Sequence, residues 1–170
     1  MIRWNGIRFD IAFTDEWRTI MTDTKTGRIL IVDDNEDWLK AARIFLKRHV
    51  QQVDLEKNPE AIPALLNNES YDVILLDMNF TKDVSSGKEG YYWLEQILKI
   101  DPSAVVVLIT AYGDVQMAVK AIKAGATDFV LKPWENEKLL ATIFSAMRLR
   151  ESRMEVEELR SRQKELSLKI

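Results

Sequence analysis

Polar side chains that could do phosphoryl and metal chemistry follow four apolar runs of this chain. Asp33 and Asp34 stand directly after the first run, and Asp77 stands after the second. Thr110 and Lys132 close the third and fourth runs. Continuous apolar runs are typical of parallel strands covered on both faces, and the carboxyl ends of such strands meet at one crevice. Three acids, a hydroxyl and an ammonium there predict a site for a hard cation and a phosphoryl group.

The residue types assign a different task to each member of this set. Neighbouring carboxylates raise each other's pKa unless a cation lies between them, and Mg²⁺ prefers oxygen ligands shared with phosphate. We therefore expect Mg²⁺ as the cofactor. Asp77 is the best candidate nucleophile, because it ends the central strand of the predicted sheet and a carboxylate can become an aspartyl phosphate. Lys132 supplies a point charge, and Thr110 a hydroxyl donor, to the phosphoryl oxygens.

The elements that must position these groups form five β-α units. Strands are predicted near 28–33, 50–55, 72–77, 104–109 and 127–131. Helices are predicted near 36–48, 59–68, 88–99, 114–124 and 135–168. The expected fold class is α/β: a doubly wound five-stranded parallel sheet, strand order 2-1-3-4-5, with an extended C-terminal helix.

Length and composition fit one core domain with a remainder. The chain has 170 residues, 46% of them hydrophobic, and a net charge of -3. A net negative charge lacks the excess of basic residues that is typical of nucleic-acid-binding proteins, so we expect no direct nucleic-acid binding by this chain. There is no cysteine, no apolar stretch that would span a membrane, and no signal-peptide core near the start. These features predict a cytoplasmic protein without a membrane partner.

The first 24 residues differ from the core domain expected over 25–147. We expect residues 1–24 to be a disordered or loosely attached extension, from an early assigned start codon. The alternative is an extra edge strand, since Ile7, Phe9, Ile11 and Phe13 alternate after an Asn5-Gly6 turn signal.

The tail over 148–170 carries a heptad pattern. Its apolar seam is interrupted twice by polar residues and consists of Leu149, Ser152, Val156, Leu159, Gln163, Leu166 and Ile170. The spacing predicts a coiled-coil linker helix that forms a homodimer. The alternative is a lone solvated helix, which would leave the apolar seam uncovered.

The whole pattern resembles the receiver domain of a two-component response regulator. The motifs that carry the resemblance are Asp33-Asp34, Asp77, Thr110-Ala111 and Lys132-Pro133, within roughly residues 27–147. The resemblance implies a flavodoxin-like fold and a phosphoprotein that takes its phosphoryl group from a sensor histidine kinase. It also implies a signalling switch and not a turnover enzyme.

The resemblance also implies individual roles. Asp34, Asp77 and the backbone carbonyl of Asn79 would bind Mg²⁺, and Asp33 would act through water. Thr110 would swing toward the phosphoryl group, and Phe129 would fill the vacated space as the second switch residue. The Lys132-Pro133 peptide would be cis. The face of the fourth helix and fifth strand would change shape and could add to the dimer. Trp134 is expected near the pocket.

Residues 109–113, 118–129 and 132–134 look most like receivers of NtrC-type transcription activators. Those regulators continue into an AAA+ ATPase and a DNA-binding domain, and no phosphate-binding Gly-x-x-x-x-Gly-Lys-Ser/Thr loop occurs here. We therefore expect a shortened regulator or a receiver with its linker. The chain departs from the family after Asp77: the usual proline is missing, and the loop to Gly90 is several residues longer. We expect this loop to affect kinase access or phosphate lifetime.

Two rival hypotheses belong to other classes. A haloacid-dehalogenase-type phosphohydrolase also uses a strand-end aspartate and Mg²⁺, but it needs a second aspartate where Asn79 stands. A receiver-like dimerisation module without phosphorylation is the other rival, and the intact acids, Thr110 and Lys132 argue against it.

Overall fold

The computed structural model describes residues 2–4, 7–9, 25–80, 88–111 and 115–170. The strands are β1 (Ile2–Trp4), β2 (Ile7–Phe9), β3 (Arg28–Val32), β4 (Gln52–Glu56), β5 (Val73–Asp77), β6 (Val106–Ala111) and β7 (Asp128–Lys132). The α-helices are α1 (Glu36–Leu46), α2 (Ile62–Asn68), α3 (Lys88–Ile100), α4 (Val115–Lys123) and α5 (Asn136–Leu168). A 3-10 turn, Pro59–Ala61, precedes α2.

The main sheet confirms the predicted topology. Its five strands are all parallel, in the order β4-β3-β5-β6-β7, which is 2-1-3-4-5 counted along these strands. Asp77 pairs in register with Ile109, and Lys132 pairs with Ala111. The polar residues at the strand ends therefore share one edge of the sheet.

Two apolar layers cover the sheet, because successive side chains of a strand point to opposite faces. In β3, Leu30 and Val32 belong to the layer that contains residues of α2, α3 and α4. Ile29 and Ile31 belong to the other layer, together with residues of α1 and α5. Burial on both faces explains why the strands are continuous apolar runs.

Two of the elements that differ from the predicted bounds do so for local reasons. The helix predicted over 59–68 is divided into the 3-10 turn and α2. Pro63 has no N–H with which to continue a helix back to Pro59. Strand β6 begins at 106 and not at 104, since a turn anchored by Asp101 precedes it. The Ser103 N–H donates to Asp101 Oδ1, and the Ala104 N–H donates to the Asp101 carbonyl.

The N-terminal strands form a sheet of their own. β1 and β2 pair antiparallel, while β4 and β7 are the edges of the five-stranded sheet. The prediction of an extra edge strand is therefore wrong for residues 7–9, whose backbone pairs with residues 2–4 instead. Residues 5, 6 and 10–24 lie outside the described residues, so the expected disorder of this extension stays a prediction.

The long helix α5 contacts the domain through an apolar stripe and, beyond this stripe, through two arginine side chains. Leu139, Ile143 and Ala146 are buried against the sheet, and Arg150 continues this stripe. The buried Arg150 guanidinium lies 2.9 Å from Asp101 Oδ2. Arg153 donates to the Ala104 carbonyl at 2.9 Å. Leu149, the first residue of the predicted heptad seam, packs against the core of its own domain and so is not free for a partner helix.

Beyond these contacts the helix is solvent-exposed. Every residue from 154 onward is exposed, including the seam residues Val156, Leu159, Leu166 and Ile170. Within the part of the chain that the structure describes, no helix combines the length and apolarity needed to cross a membrane.

Candidate functional site

Three carboxylates meet at the carboxyl end of the sheet. Asp33 and Asp34 follow β3 directly, and Asp77 is the last residue of β5. One carboxylate oxygen of each lies within 4.8 Å of the others. Asp33 and Asp77 are buried, whereas the half-buried Asp34 lines a surface cleft together with Asn58 and Phe80. The predicted acidic set is therefore assembled, with access from solvent on the side of Asp34.

One ammonium group faces this cluster from the end of β7. Lys132 Nζ lies 2.5 Å from Asp33 Oδ2 and 3.4 Å from Asp77 Oδ1. Its side chain is only 13% exposed, so water screens these ion pairs weakly. Parallel pairing of β7 beside β6 brings Lys132 within reach of two acids that are distant in the chain. Asp77 lies 55 positions before it, and Asp33 lies 99 positions before it.

The crowding of charge is visible in the acid–base properties of Asp77. Burial and the neighbouring Asp33 carboxylate raise the pKa of Asp77 from 3.8 to about 7. The Lys132 ammonium and a hydrogen bond from the Asn79 backbone amide oppose this rise. At neutral pH a large fraction of Asp77 therefore keeps its proton, and a protonated carboxyl is a poor nucleophile.

The turn after β3 fixes Asp33 and the start of α1 together. The Asn35 N–H donates to Asp33 Oδ1 at 2.9 Å. The Asn35 side-chain oxygen accepts from the N–H groups of Asp37 and Trp38, as an N-cap residue does. One asparagine thus holds the acid and the first turn of α1 in a fixed relation.

Thr110 and Phe129 lie on the opposite face of the sheet ends from Asp77 and Lys132. Thr110 is fully buried, and its hydroxyl has no hydrogen-bond partner among the described residues. A buried polar group without a partner costs about 1–3 kcal/mol, so this hydroxyl is ready to take an acceptor. Phe129 is half-buried and packs against the layer of α3 and α4. Whether the two residues move together stays a prediction.

The donor set fits the expected Mg²⁺. Carboxylate oxygens are hard ligands of the kind that Mg²⁺ takes, and three of them converge here. The raised pKa of Asp77 indicates that one ammonium does not compensate the buried charge, as expected for a site completed by a cation. The contribution of the Asn79 carbonyl and of water at Asp33 stays a prediction.

The structure adds two residues that the sequence did not connect with each other. The indole rings of Trp38 and Trp134 are 4.9 Å apart between centroids. Lys132 Nζ lies 5.5 Å from the centroid of the Trp38 ring. Trp134 therefore contacts Trp38, whose ring lies beside the lysine of the site. The only sequence signal was the position of Trp38 in the first turn after the acidic pair.

The Lys132-Pro133 peptide bond is cis, as the resemblance implied. Residues 81–87 lie outside the described residues, and they include most of the unusually long loop after Asp77. The expected effect of this loop on access or phosphate lifetime therefore stays a prediction.

The chain matches the response regulator receiver domain family over residues 29–144, which include all of the acids, Thr110 and Lys132. The chain belongs to this family. Receiver domains of this family are signalling domains of two-component systems and generally do not act as turnover enzymes. The predicted family and fold are therefore confirmed.

Known relatives include single receivers and longer transcription regulators. The chain is 35% identical to the chemotaxis protein CheY of Listeria monocytogenes over 120 residues, which are 70% of this chain and 97% of CheY. It is 34% identical to the response regulator protein PilR of Pseudomonas aeruginosa over 123 residues, 72% of this chain but 26% of PilR. This receiver thus spans about a quarter of PilR, which is of the NtrC type.

A solved structure supports the same assignment. The N-terminal signal receiver domain of a response regulator from Bacteroides fragilis is 43% identical to this chain, with a TM-score of 0.66. The similarity covers 72% of this chain and 98% of that receiver. The five-stranded flavodoxin-like receiver fold is therefore shared, and the C-terminal helix is present in addition.

The raised pKa of Asp77 predicts a specific pH dependence of stability. The folded protein holds the Asp77 proton up to about pH 7, whereas an unfolded aspartate loses it near about pH 4. Between these values the folded state binds more protons, so the free energy of unfolding decreases as pH rises. Asp77→Asn removes this ionisation. We expect it to stabilise the metal-free protein more at pH 8 than at pH 4, by roughly 2–4 kcal/mol.

Urea unfolding from pH 4 to 8 in the presence of a chelator measures this difference. A carboxyl-to-amide change at the exposed Glu95 corrects for the general effect of removing one acid. A difference between Asp77→Asn and wild type that stays constant with pH, or decreases as pH rises, contradicts the prediction.

Proposed function

We propose that this chain is the phosphoacceptor of a two-component pathway, and that Asp77 takes a phosphoryl group from a sensor histidine kinase. The observation that carries the proposal is the position of Asp77, buried beside Asp33 and 3.4 Å from the Lys132 ammonium. Membership of the receiver family supports the same conclusion. The partner is thus a phosphohistidine of a kinase, and the protein acts in the cytoplasm.

The proposed step is a displacement at phosphorus. An ionised carboxylate oxygen of Asp77 attacks the phosphoryl group and forms a P–O bond. The P–N bond to the kinase imidazole breaks, and the leaving nitrogen keeps the electron pair. Such transfers depend mostly on positioning and on neutralising the oxygens of the transferring group. Lys132 supplies a nearly buried positive charge for this purpose, and the Thr110 hydroxyl can donate to a phosphoryl oxygen.

Asp34, Asp77 and the Asn79 backbone carbonyl would hold Mg²⁺, and Asp33 would act on it through water. The ion would neutralise part of the negative charge of the phosphoryl group and favour the ionised form of Asp77. Asp33 is already held by Asn35 and Lys132, so the site is rigid on that side before any cation binds.

The signal would leave through Thr110 and Phe129. A phosphoryl group on Asp77 gives the unpartnered Thr110 hydroxyl an acceptor. Movement of Thr110 opens space on the side of the sheet where the half-buried Phe129 ring packs. Phe129 has no ring hydroxyl, so its inward position would rest on packing alone. The α4–β7 face is the surface that this exchange changes.

The tail helix would connect the switch to an output domain that controls transcription, as in relatives of the NtrC type. Two copies would pair through Val156, Leu159, Leu166 and Ile170, which are exposed on α5. Burial of these side chains favours a homodimer. The α4–β7 face could contribute to the same dimer.

Phosphohydrolase activity is the less favoured function. The residue two positions after Asp77 is Asn79, which cannot serve as the general acid and base that turnover requires. A module that has lost phosphorylation is disfavoured by the assembled acids and by the contact of Lys132 with Asp77.

The acceptor role is tested by intact-protein mass after incubation with Mg²⁺ and a small acyl phosphate. We expect wild type to gain one base-labile phosphoryl group. Asp77→Asn should gain none, because it lacks the nucleophile. Asp34→Asn keeps the nucleophile but weakens the cation site, so it should react more slowly than wild type. Wild type that gains nothing, or Asp77→Asn that gains a phosphoryl group, contradicts the acceptor role.

The tail dimer is tested by one substitution made at three positions. Leu159→Lys and Leu166→Lys change seam residues, whereas Leu168→Lys changes a 78% exposed leucine off the seam. A buried leucine contributes about 1.5–3 kcal/mol, so each seam variant should weaken self-association at least about tenfold. Sedimentation equilibrium measures the dissociation constant, and Leu168→Lys should match wild type. Equal constants for all four proteins contradict a seam dimer.

A further inference from the structure

The Trp38 side chain is a large apolar group that the core does not use. The buried stripe of α1 consists of Leu39, Ala42 and Leu46. Trp38 precedes this stripe and is half-buried, and neither core cluster of the described residues includes it. Its ring contacts are instead with Trp134 and with the Lys132 ammonium. Core packing therefore does not explain why an indole stands at this position.

The indole lies where it can hold the lysine without competing for the site. Lys132 Nζ is 5.5 Å from the Trp38 ring centroid while it contacts Asp33 and Asp77. A cation over an indole face is attracted by the ring, and more strongly when it is shielded from water, as this nearly buried ammonium is. An indole face carries no net charge and binds no metal. It therefore adds neither a charge nor a metal ligand that would compete with the carboxylates or the phosphoryl group.

Hydrogen bonds of Asn35 connect the backbone of Trp38 to the Asp33 carboxylate. Asn35 donates its N–H to Asp33 and accepts the N–H of Trp38 at 3.2 Å. Asp33 and Trp38 are therefore held by one capped turn, and the Lys132 ammonium contacts Asp33 and lies 5.5 Å from the centroid of the Trp38 ring.

Trp134 completes the arrangement from the side of the lysine. It follows Lys132 by two residues and packs against both the Trp38 ring and the core layer of α1 and α5. Aromatic pairs at this separation attract each other beyond the effect of burial alone. The tryptophan pair thus joins the first turn of α1 to the segment after β7, beside Lys132.

We propose that Trp38, braced by Trp134, is a positioning residue that keeps the Lys132 ammonium directed at Asp33 and Asp77. A lysine side chain is a point charge on a flexible four-carbon stem, and its ion pairs alone leave the stem several rotamers. The indole limits these rotamers to those that reach the acids. The inference rests on the proposed phosphoacceptor function and adds a residue to it.

Fluorine NMR of protein labelled with 5-fluorotryptophan tests the contact without phosphate or metal. Trp→Phe variants assign the resonances of Trp38, Trp93 and Trp134. Lys132→Met removes the ammonium but keeps an apolar side chain of similar length. We expect it to move the Trp38 resonance by more than its linewidth, and to leave that of Trp93, a buried residue of α3, in place. An unmoved Trp38 resonance overturns the proposal.

The rate of phosphoryl gain from the acyl phosphate tests the consequence. Trp38→Leu should react about three- to tenfold more slowly, and Trp38→Phe should recover part of the rate because a phenyl face still attracts a cation. Phe45→Leu is the matched control: it removes another aromatic ring of α1, one that faces His49, about 10 Å further along the helix. Thermal unfolding identifies a temperature at which all four proteins are folded.

The possible results separate this inference from the function on which it rests. Wild type that gains no phosphoryl group overturns both. Wild type that reacts, beside a Trp38→Leu protein of equal rate, overturns the positioning role alone. Equal losses in Trp38→Leu and Trp38→Phe also overturn it, since the face of a phenyl ring should retain part of the effect. If Trp38→Leu does not fold, the Phe variant and the resonance of Trp38 decide the question.

Discussion

The repulsion among three carboxylates at one sheet edge is the constraint on which this structure depends. Parallel pairing of β3, β5, β6 and β7 puts their polar ends together, and burial prevents water from separating the charges. The Lys132 ammonium lies beside them, and burial together with the Asp33 carboxylate still raises the pKa of Asp77 to about 7. If the cluster only destabilised the fold, substitution of one acid would relieve the repulsion and increase stability. The same excess of negative charge favours the binding of a divalent cation at this edge.

The rest of the domain can be understood as support for that edge. Asn35 fixes Asp33 to α1, and the tryptophan pair joins the first turn of α1 to the segment after β7. On the other face lie the Thr110 hydroxyl, which has no hydrogen-bond partner among the described residues, and the half-buried Phe129 ring.

Much of this could be predicted from the sequence, because the strongest signals are local. The apolar runs gave the strands, their terminal acids gave the site, and the order of β-α units gave the topology. Contacts between distant residues could not be predicted in the same way. No local sequence pattern predicts the contact of Trp38 with Trp134 or that of Arg150 with Asp101. These contacts depend on how the helices pack on the sheet. For the same reason the heptad pattern included Leu149, although this residue packs against the core of its own domain.

The central claim is that burial and the neighbouring Asp33 carboxylate keep a proton on Asp77, and that a divalent cation would displace this proton. Calorimetric titration with Mg²⁺ near pH 6.5, in buffers of different ionisation enthalpy, measures the protons released for each ion bound. The account predicts that wild type releases a substantial fraction of one proton, and that Asp77→Asn releases almost none. Binding of Mg²⁺ by wild type with no exchange of protons, or no binding at all, would contradict it.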